Sequence, residues 1–255
     1  MFVESVGFRP AMEGNIRIAM WSGPRNISTA LMRSWENRSD AVVCDEPLYA
    51  HYLAETGLEH AMREEVIASQ PTDWRDVARE LTGPIPEGAS VYYQKHMTHH
   101  LIDGIGREWL AELVNCFLIR EPKGMLPSLE KKLPNPRMVD TALPQQVALF
   151  TEERERTGEI PPVIDSRDVL EDPRGVLGAL CERLGLPFEE AMLSWPEGSR
   201  PTDGVWAEHW YGDVEKTTGF GRYRAYDKAL PEHLAEMYDE CLALYETLYS
   251  HRITA

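Results

Sequence analysis

Short apolar runs alternate along the chain with stretches whose apolar residues recur every three or four positions, and this alternation predicts the elements. IRIAMW, residues 16–21, reads as a strand, and the SGPRN that follows is a turn cluster. STALMRSWEN, 28–37, reads as a helix with Ala30, Leu31, Ser34 and Trp35 on one face. AVVC, 41–44, is a second strand, ended by Asp45-Glu46-Pro47. Residues 50–82 are predicted helical, with Trp74, Val77 and Leu81 at helical spacing. SVYYQKHM, 90–97, is rich in β-formers, and VNCFLIR, 114–120, is the strongest apolar run. Pro122 suits the first turn of a helix. PPVIDSRD, 161–168, predicts another strand, and Asp172-Pro173 opens a helix that closes on Gly185. The last long helix carries the stripe Leu234, Met237, Cys241, Leu244, Tyr245 and Leu248. Such a stripe fits packing on the chain's own sheet or pairing in a homodimer, and the pattern leaves both open.

Strands that alternate with helices predict an α/β fold: three layers, α/β/α, with a mostly parallel central sheet. Residues 16–255 read as one domain, without repeat, low-complexity tract or linker, after an aperiodic leader at 1–15 in which Met12 is an alternative start. In such sheets ligands bind beyond the carboxyl ends of the strands, so the residues just after each strand are the candidates for chemistry.

Composition narrows the partners. The chain has 255 residues with a formal net charge of −16, enough for a sizeable core and wrong for general binding to nucleic acid or an anionic membrane. An anionic ligand would need a local positive pocket. No stretch reaches the roughly 18–20 apolar residues of a membrane span, and the N-terminus lacks a signal-peptide pattern. Cys44, Cys116, Cys181 and Cys241 are far apart in apolar contexts, without zinc spacing, as expected of buried thiols in a reducing cytoplasm.

The strand ends are rich in chemistry. After the first strand, Pro24-Arg25-Asn26-Ile27-Ser28-Thr29 forms a tight loop opening a helix on two hydroxyls. That is the geometry of an anion cradle, with backbone N–H groups and the helix dipole facing the ligand. A plain N-cap by Ser28 would produce the same pattern. No GxxxxGK[ST] is present. After the second strand, Glu46 is either a general base or a loop acid that caps the next helix. After the third, Lys95-His96-Met97-Thr98-His99-His100 offers a charge stabiliser or acid, and spacing gives little support for a metal site. After the fourth, Arg120 and Ser128 could grip one phosphate from two sides.

Together these residues resemble the sulfotransferase family, whose members move a sulfuryl group from 3′-phosphoadenosine-5′-phosphosulfate (PAPS). The family's 5′-phosphosulfate loop, roughly P-[KR]-S-G-[ST]-[ST]-x-L, is matched by Pro24, Arg25, Ser28, Thr29 and Leu31, with Asn26 and Ile27 in place of Ser and Gly. Its 3′-phosphate motif is matched by Arg120-Glu121-Pro122 and Ser128, and its C-terminal motif is resembled by residues 216–224, which places Lys216 and Thr218 near the 3′-phosphate. Glu46-Pro47-Leu48 is similar to the carbohydrate branch, whose glutamate is the base. The cytosolic branch uses a histidine, which keeps His96 and His99 as rivals. The resemblance spans about residues 16–230 and is nearest to a bacterial sulfotransferase-like branch, some of whose members are called aminotransferases.

The resemblance implies a P-loop NTPase-like sulfotransferase fold that transfers the sulfuryl group from PAPS to a hydroxyl or amine of a small-molecule acceptor. The product nucleotide would be 3′,5′-adenosine bisphosphate (PAP), and no metal would be required. Arg25 would stabilise the leaving 5′-phosphate, Glu46 would take the acceptor's proton, and Lys95 or His96 would stabilise the sulfonyl oxygens. Segments 49–88 and 131–160, with Trp195, Trp206, Trp210 and Tyr211, are expected to shape the acceptor pocket. The rivals are a P-loop kinase or nucleotide-binding protein on the same scaffold, and a degenerate, non-catalytic sulfotransferase-like binder. A pyridoxal-phosphate aminotransferase is a poor third.

Overall fold

The computed structural model describes residues 14–255, so the leader expected at 1–15 lies outside the described residues apart from its last two. Five strands form the sheet: β1 (Ile16–Ser22), β2 (Ala41–Asp45), β3 (Val91–Met97), β4 (Val114–Ile119) and β5 (Val163–Asp165). Their order is β2-β3-β1-β4-β5 and every pairing is parallel. The chain leaves β1 toward one edge, returns through β3, and then crosses to β4 on the other side. The carboxyl end of β1 therefore lies at the switch point, where α/β sheets open a crevice.

The strand pattern sorts side chains onto two helical layers. On one face Ile18, Met20, Tyr93, Leu118 and Ile164 pack on α1 (Ser28–Glu36) through Leu31 and Trp35, and on α8 (Pro173–Arg183) through Leu177 and Leu180. On the other, Ala19, Trp21, Tyr92, Phe117 and Val163 meet α4 (Trp74–Thr82), α5 (Pro122–Glu130), α6 (Leu143–Thr157) and α10 (Ala235–Tyr249). The expected three-layer α/β/α fold with a parallel sheet is what is observed. The C-terminal stripe is accounted for by this second face, where Cys241, Tyr245 and Leu248 are buried.

Three expectations need correction. Residues 50–82 are not one helical stretch but α2 (Tyr49–Thr56), α3 (Arg63–Ser69) and α4. Left-handed Gly57 ends α2, and Asp73 starts α4 afresh by accepting from the Arg75 N–H. The strand expected over 161–168 ends at Asp165, whose side chain accepts from the Arg167 N–H and turns the chain into α7 (Ser166–Glu171). The region 131–160, expected only as pocket wall, contains α6, opened by Pro144 and closed by left-handed Gly158. No helix among the described residues is long and apolar enough to cross a membrane.

Candidate active site

A cavity of about 610 Å³ opens above the carboxyl ends of β1 to β4. The loop after β1 forms its floor from Pro24 to Thr29. Ser28 is the first residue of α1 and makes no cap; the N-cap position is Ile27, and no side chain caps this helix. The capping explanation of the hydroxyls is thus not realised, and the first turn of α1 meets the cavity uncapped. Gly23 is required by close approach: a Cβ there would sit 2.6 Å from the Thr141 carbonyl oxygen. Arg25 adopts a left-handed φ of 58°, a strained conformation for a side chain of this size.

Arg120, at the end of β4, reaches back and donates to the Arg25 carbonyl. The Arg25 guanidinium donates to Ser128 Oγ at 3.1 Å. The three residues expected around the two phosphates are therefore brought together. Neither guanidinium has an acidic partner among the described residues. Burial and the neighbouring Arg25 charge lower the pKa of Arg120. Asn26, where the family loop has Ser, is tied to β4 by Nδ2 donating to the Leu118 carbonyl at 3.0 Å, and its buried Oδ1 has no partner.

The carboxylate end is built differently. Asp45 and Lys95 are register partners on adjacent strands. Lys95 Nζ donates to Asp45 Oδ1 at 2.8 Å, to Glu46 Oε1 at 2.5 Å and to the Tyr211 hydroxyl at 2.7 Å. An ammonium has three donors, so all are engaged. The Tyr211 hydroxyl in turn donates to Asp45, whose Oδ2 also accepts from the Gly204 N–H at 3.2 Å. Glu46 has a left-handed φ of 42°. Burial pushes the Glu46 carboxyl up, against the pull of Lys95. Burial acts to discharge Lys95, but Asp45 and Glu46 outweigh it and hold the ammonium charged.

Other expected residues fall elsewhere. His96 is next to Lys95 and so faces the opposite side of β3, stacked on Trp21 with ring centroids 4.2 Å apart and 1% exposed. Burial drives its pKa down to about 3, and it does not line the cavity, which leaves it no access to a substrate proton. His99 does line it. Lys216 and Thr218 are exposed and off the wall, whereas Thr217 and Gly219 to Arg222 are on it. Of the four aromatics expected in the pocket, Trp210 and Tyr211 line it, the latter just after α9 (Ala207–Trp210). Trp195 and Trp206 are buried behind it. Residues 62–88 and 141–160 contribute nothing to the wall. Sequence reasoning missed Asp45, Tyr211 as a hydrogen-bonding group, and the ring cluster of Tyr49, Tyr52, His60 and His100; period-two alternation from Lys95 carried the signal that His96 points away.

A family model of the sulfotransferase domain matches residues 16–250. The chain belongs to the sulfotransferase family. It superposes on the sulfotransferase domain of the Synechococcus PCC 7002 olefin synthase with a TM-score of 0.51 and 16% identity, covering 96% of this chain and 98% of that one. It also superposes on a sulfotransferase from Alicyclobacillus acidocaldarius with a TM-score of 0.51 and 12% identity, covering 94% and 97%. These two likenesses show a shared sulfotransferase fold. In sequence, the chain is 35% identical over 235 residues to the Arabidopsis thaliana branched-chain-amino-acid aminotransferase-like protein 1, covering 92% of this chain and 42% of that one. It is 34% identical over 236 residues to the Arabidopsis thaliana protein 2 of the same description, covering 92% and 41%. The chain thus spans about two fifths of the length of these curated relatives.

Proposed function

We propose that this sulfotransferase-family chain takes its sulfuryl group from PAPS and delivers it to a hydroxyl or amine of a small-molecule acceptor, with Glu46 as base. The observation that carries the reading is the Arg25–Arg120 pair: two adjacent guanidiniums, in a chain of net charge −16, on the wall of one cavity and in no ion pair among the described residues, with Glu121 and Asp165 acting on Arg120 only from a distance. Unpaired cations at a strand end, beside an uncapped helix start, fit a multiply charged anion.

PAPS supplies a sulfuryl group already activated by a good leaving phosphate. Arg25 and the first-turn N–H groups of α1 would hold its 5′ end, with Ser28 and Thr29 as hydroxyl donors. Arg120 would hold the 3′-phosphate, with Ser128 acting through Arg25, and the 217–222 backbone would take the part expected of Lys216 and Thr218. Glu46 takes the proton of the acceptor as the acceptor's oxygen or nitrogen attacks sulfur, and Arg25 offsets the charge that builds on the departing phosphate oxygen. Lys95 has no donor left for a sulfonyl oxygen. Its part is to hold Glu46 ionised and aimed.

A thermal-shift titration tests the donor. At about 100 times its Kd, PAP should stabilise the protein by ~2.7 kcal/mol, a rise of roughly 5–10 °C for a chain of this size. AMP should give far less. A response to ATP with Mg²⁺ but not to PAP would replace this reading with the kinase one. A PAP response with no transfer from PAPS to any acceptor would favour the non-catalytic binder.

A further inference from the structure

The cavity has a second wall, to which the donor reading above assigns no role. It is built where α2 meets the turn after β3. His100 lies flat against both Tyr49 and Tyr52, with centroids at 4.6 Å in each case and interplanar angles of 10° and 26°. His99 stands edge-on to Tyr52 at 5.5 Å and to His100 at 4.5 Å. His60 closes the group, its Nδ1 2.9 Å from the Tyr49 hydroxyl. All five rings line the cavity. The Tyr49 N–H donates to the Glu46 carbonyl at 3.0 Å, so the wall adjoins the base.

Its chemistry is neutral and incomplete. Burial lowers all three imidazoles, His99 to about 4, so each is uncharged near neutral pH and offers one donor and one acceptor nitrogen. Nδ1 of His99 and of His100 has no hydrogen-bond partner. Buried polar atoms are rarely left unpaired, and these two rings, both on the cavity wall, carry hydrogen-bonding capacity that the fold does not use. The ring faces suit a flat apolar body, and the ring nitrogens suit hydroxyl groups. Of the charged groups on the cavity lining other than Arg25 and Arg120, Lys95 is paired with Glu46 and Asp140 with Arg137, while Glu59, Lys132, Asp213 and Arg222 are exposed to water. A charged ligand of either sign would be desolvated against these rings without a buried, unpaired counter-charge beside it.

We propose that this wall is the acceptor subsite, and that it selects an uncharged, ring-bearing hydroxyl compound over the carboxylate or ammonium compound of the same shape. The proposal rests on the donor reading above, and it narrows the acceptor from hydroxyl or amine to neutral hydroxyl. Three matched probes test it: 4-hydroxyphenethyl alcohol, 4-hydroxyphenylacetate and 4-hydroxyphenethylamine, titrated calorimetrically into the PAP-saturated protein. The alcohol should bind at least tenfold more tightly than the other two. His100→Phe and His99→Phe keep a ring in place and remove its nitrogens. Each should weaken the alcohol about tenfold and leave the PAP-induced rise in Tm unchanged. Equal or tighter binding of either charged probe overturns the proposal, as does no binding of any probe at millimolar concentration or unaltered affinity in both variants. Failure of the donor reading shows separately, as absence of the PAP response in the wild type, and the same titrations run without PAP then still read the wall's preference.

Discussion

The two ends of the cavity solve opposite problems. At the β2–β3 end, Lys95, Asp45, Glu46 and Tyr211 satisfy one another, and the buried ammonium is held charged by two carboxylates. At the β1–β4 end, Arg25 and Arg120 sit side by side with no acidic partner among the described residues, and their mutual repulsion adds to the cost of burial. One end is complete as folded. Under the proposed function, an anion completes the other. The difference teaches where the stability cost should fall: damage to the first end should destabilise the chain as well as disturb the proposed base, and damage to the second should silence it without unfolding it.

The largest effect expected is at the complete end. Lys95→Met leaves two buried carboxylates facing each other, which should remove about 3–5 kcal/mol. Tm should fall by roughly 6–20 °C, read by differential scanning calorimetry without ligand. An unchanged Tm would mean that the network contributes no stability, and the contrast would collapse.

Arg25→Ala tests the other half. Loss of a transition-state donor should lower kcat by roughly 10²–10³, or about 2.7–4 kcal/mol. The same substitution relieves a like-charge contact, so the ligand-free Tm should hold or rise. Arg120→Ala should raise the KM for PAPS more than it lowers kcat and should erase the preference for PAP over AMP. A variant that loses activity and stability together would place these arginines in the scaffold.

Which parts of this contrast were legible in the sequence follows from which of them are built of contiguous motifs. Each half of the cradle is a contiguous motif: Pro24 to Thr29 is one loop and helix start, and Arg120 with Ser128 is one strand end and one helix, so local pattern sufficed although the halves meet across 95 residues. The network is not. Lys95 meets Asp45 across fifty residues through strand register, and meets Tyr211 through a loop that no periodicity places. The ring wall likewise joins α2 to the turn after β3. His96 was over-read because it stands next to Lys95. Strand alternation sends neighbours to opposite faces, and only one of the two could reach the cavity. The departure at Asn26-Ile27 was legible as a departure, but the amide's grip on Leu118 was not.

A smaller effect sharpens the comparison within the network. Tyr211→Phe removes a hydroxyl that accepts from Lys95 and from Trp206 Nε1 and donates to Asp45. About 1–3 kcal/mol of stability should be lost, since buried partners are left unpaired. The kinetics should move too. As the proposed base, Glu46 would act when ionised, and burial raises its carboxyl, so kcat should rise with pH through a midpoint above the usual carboxylate range. In Tyr211→Phe that midpoint should shift, and in Glu46→Gln the rise should vanish. A pH–rate profile of the three proteins decides it.

The smallest effect concerns the far face of β3. His96 is held neutral down to about pH 3, against an ordinary value of 6.5 that the unfolded chain regains. Between those limits the unfolded chain binds the proton and the folded chain does not. The contribution is therefore whole above pH 6.5 and drains away as pH falls toward 3. From pH 7 to 5.5 this amounts to about 1 kcal/mol. His99 and His100 act in the same direction, but they are common to wild type and His96→Phe and cancel in the comparison. Urea midpoints at the two pH values should thus fall by about 1 kcal/mol less in His96→Phe than in the wild type, whatever the absolute stability of the variant. Equal falls would mean that the folded chain protonates His96 as readily as the unfolded one, and that the face of β3 opposite the Lys95 network admits water its 1% exposure does not show.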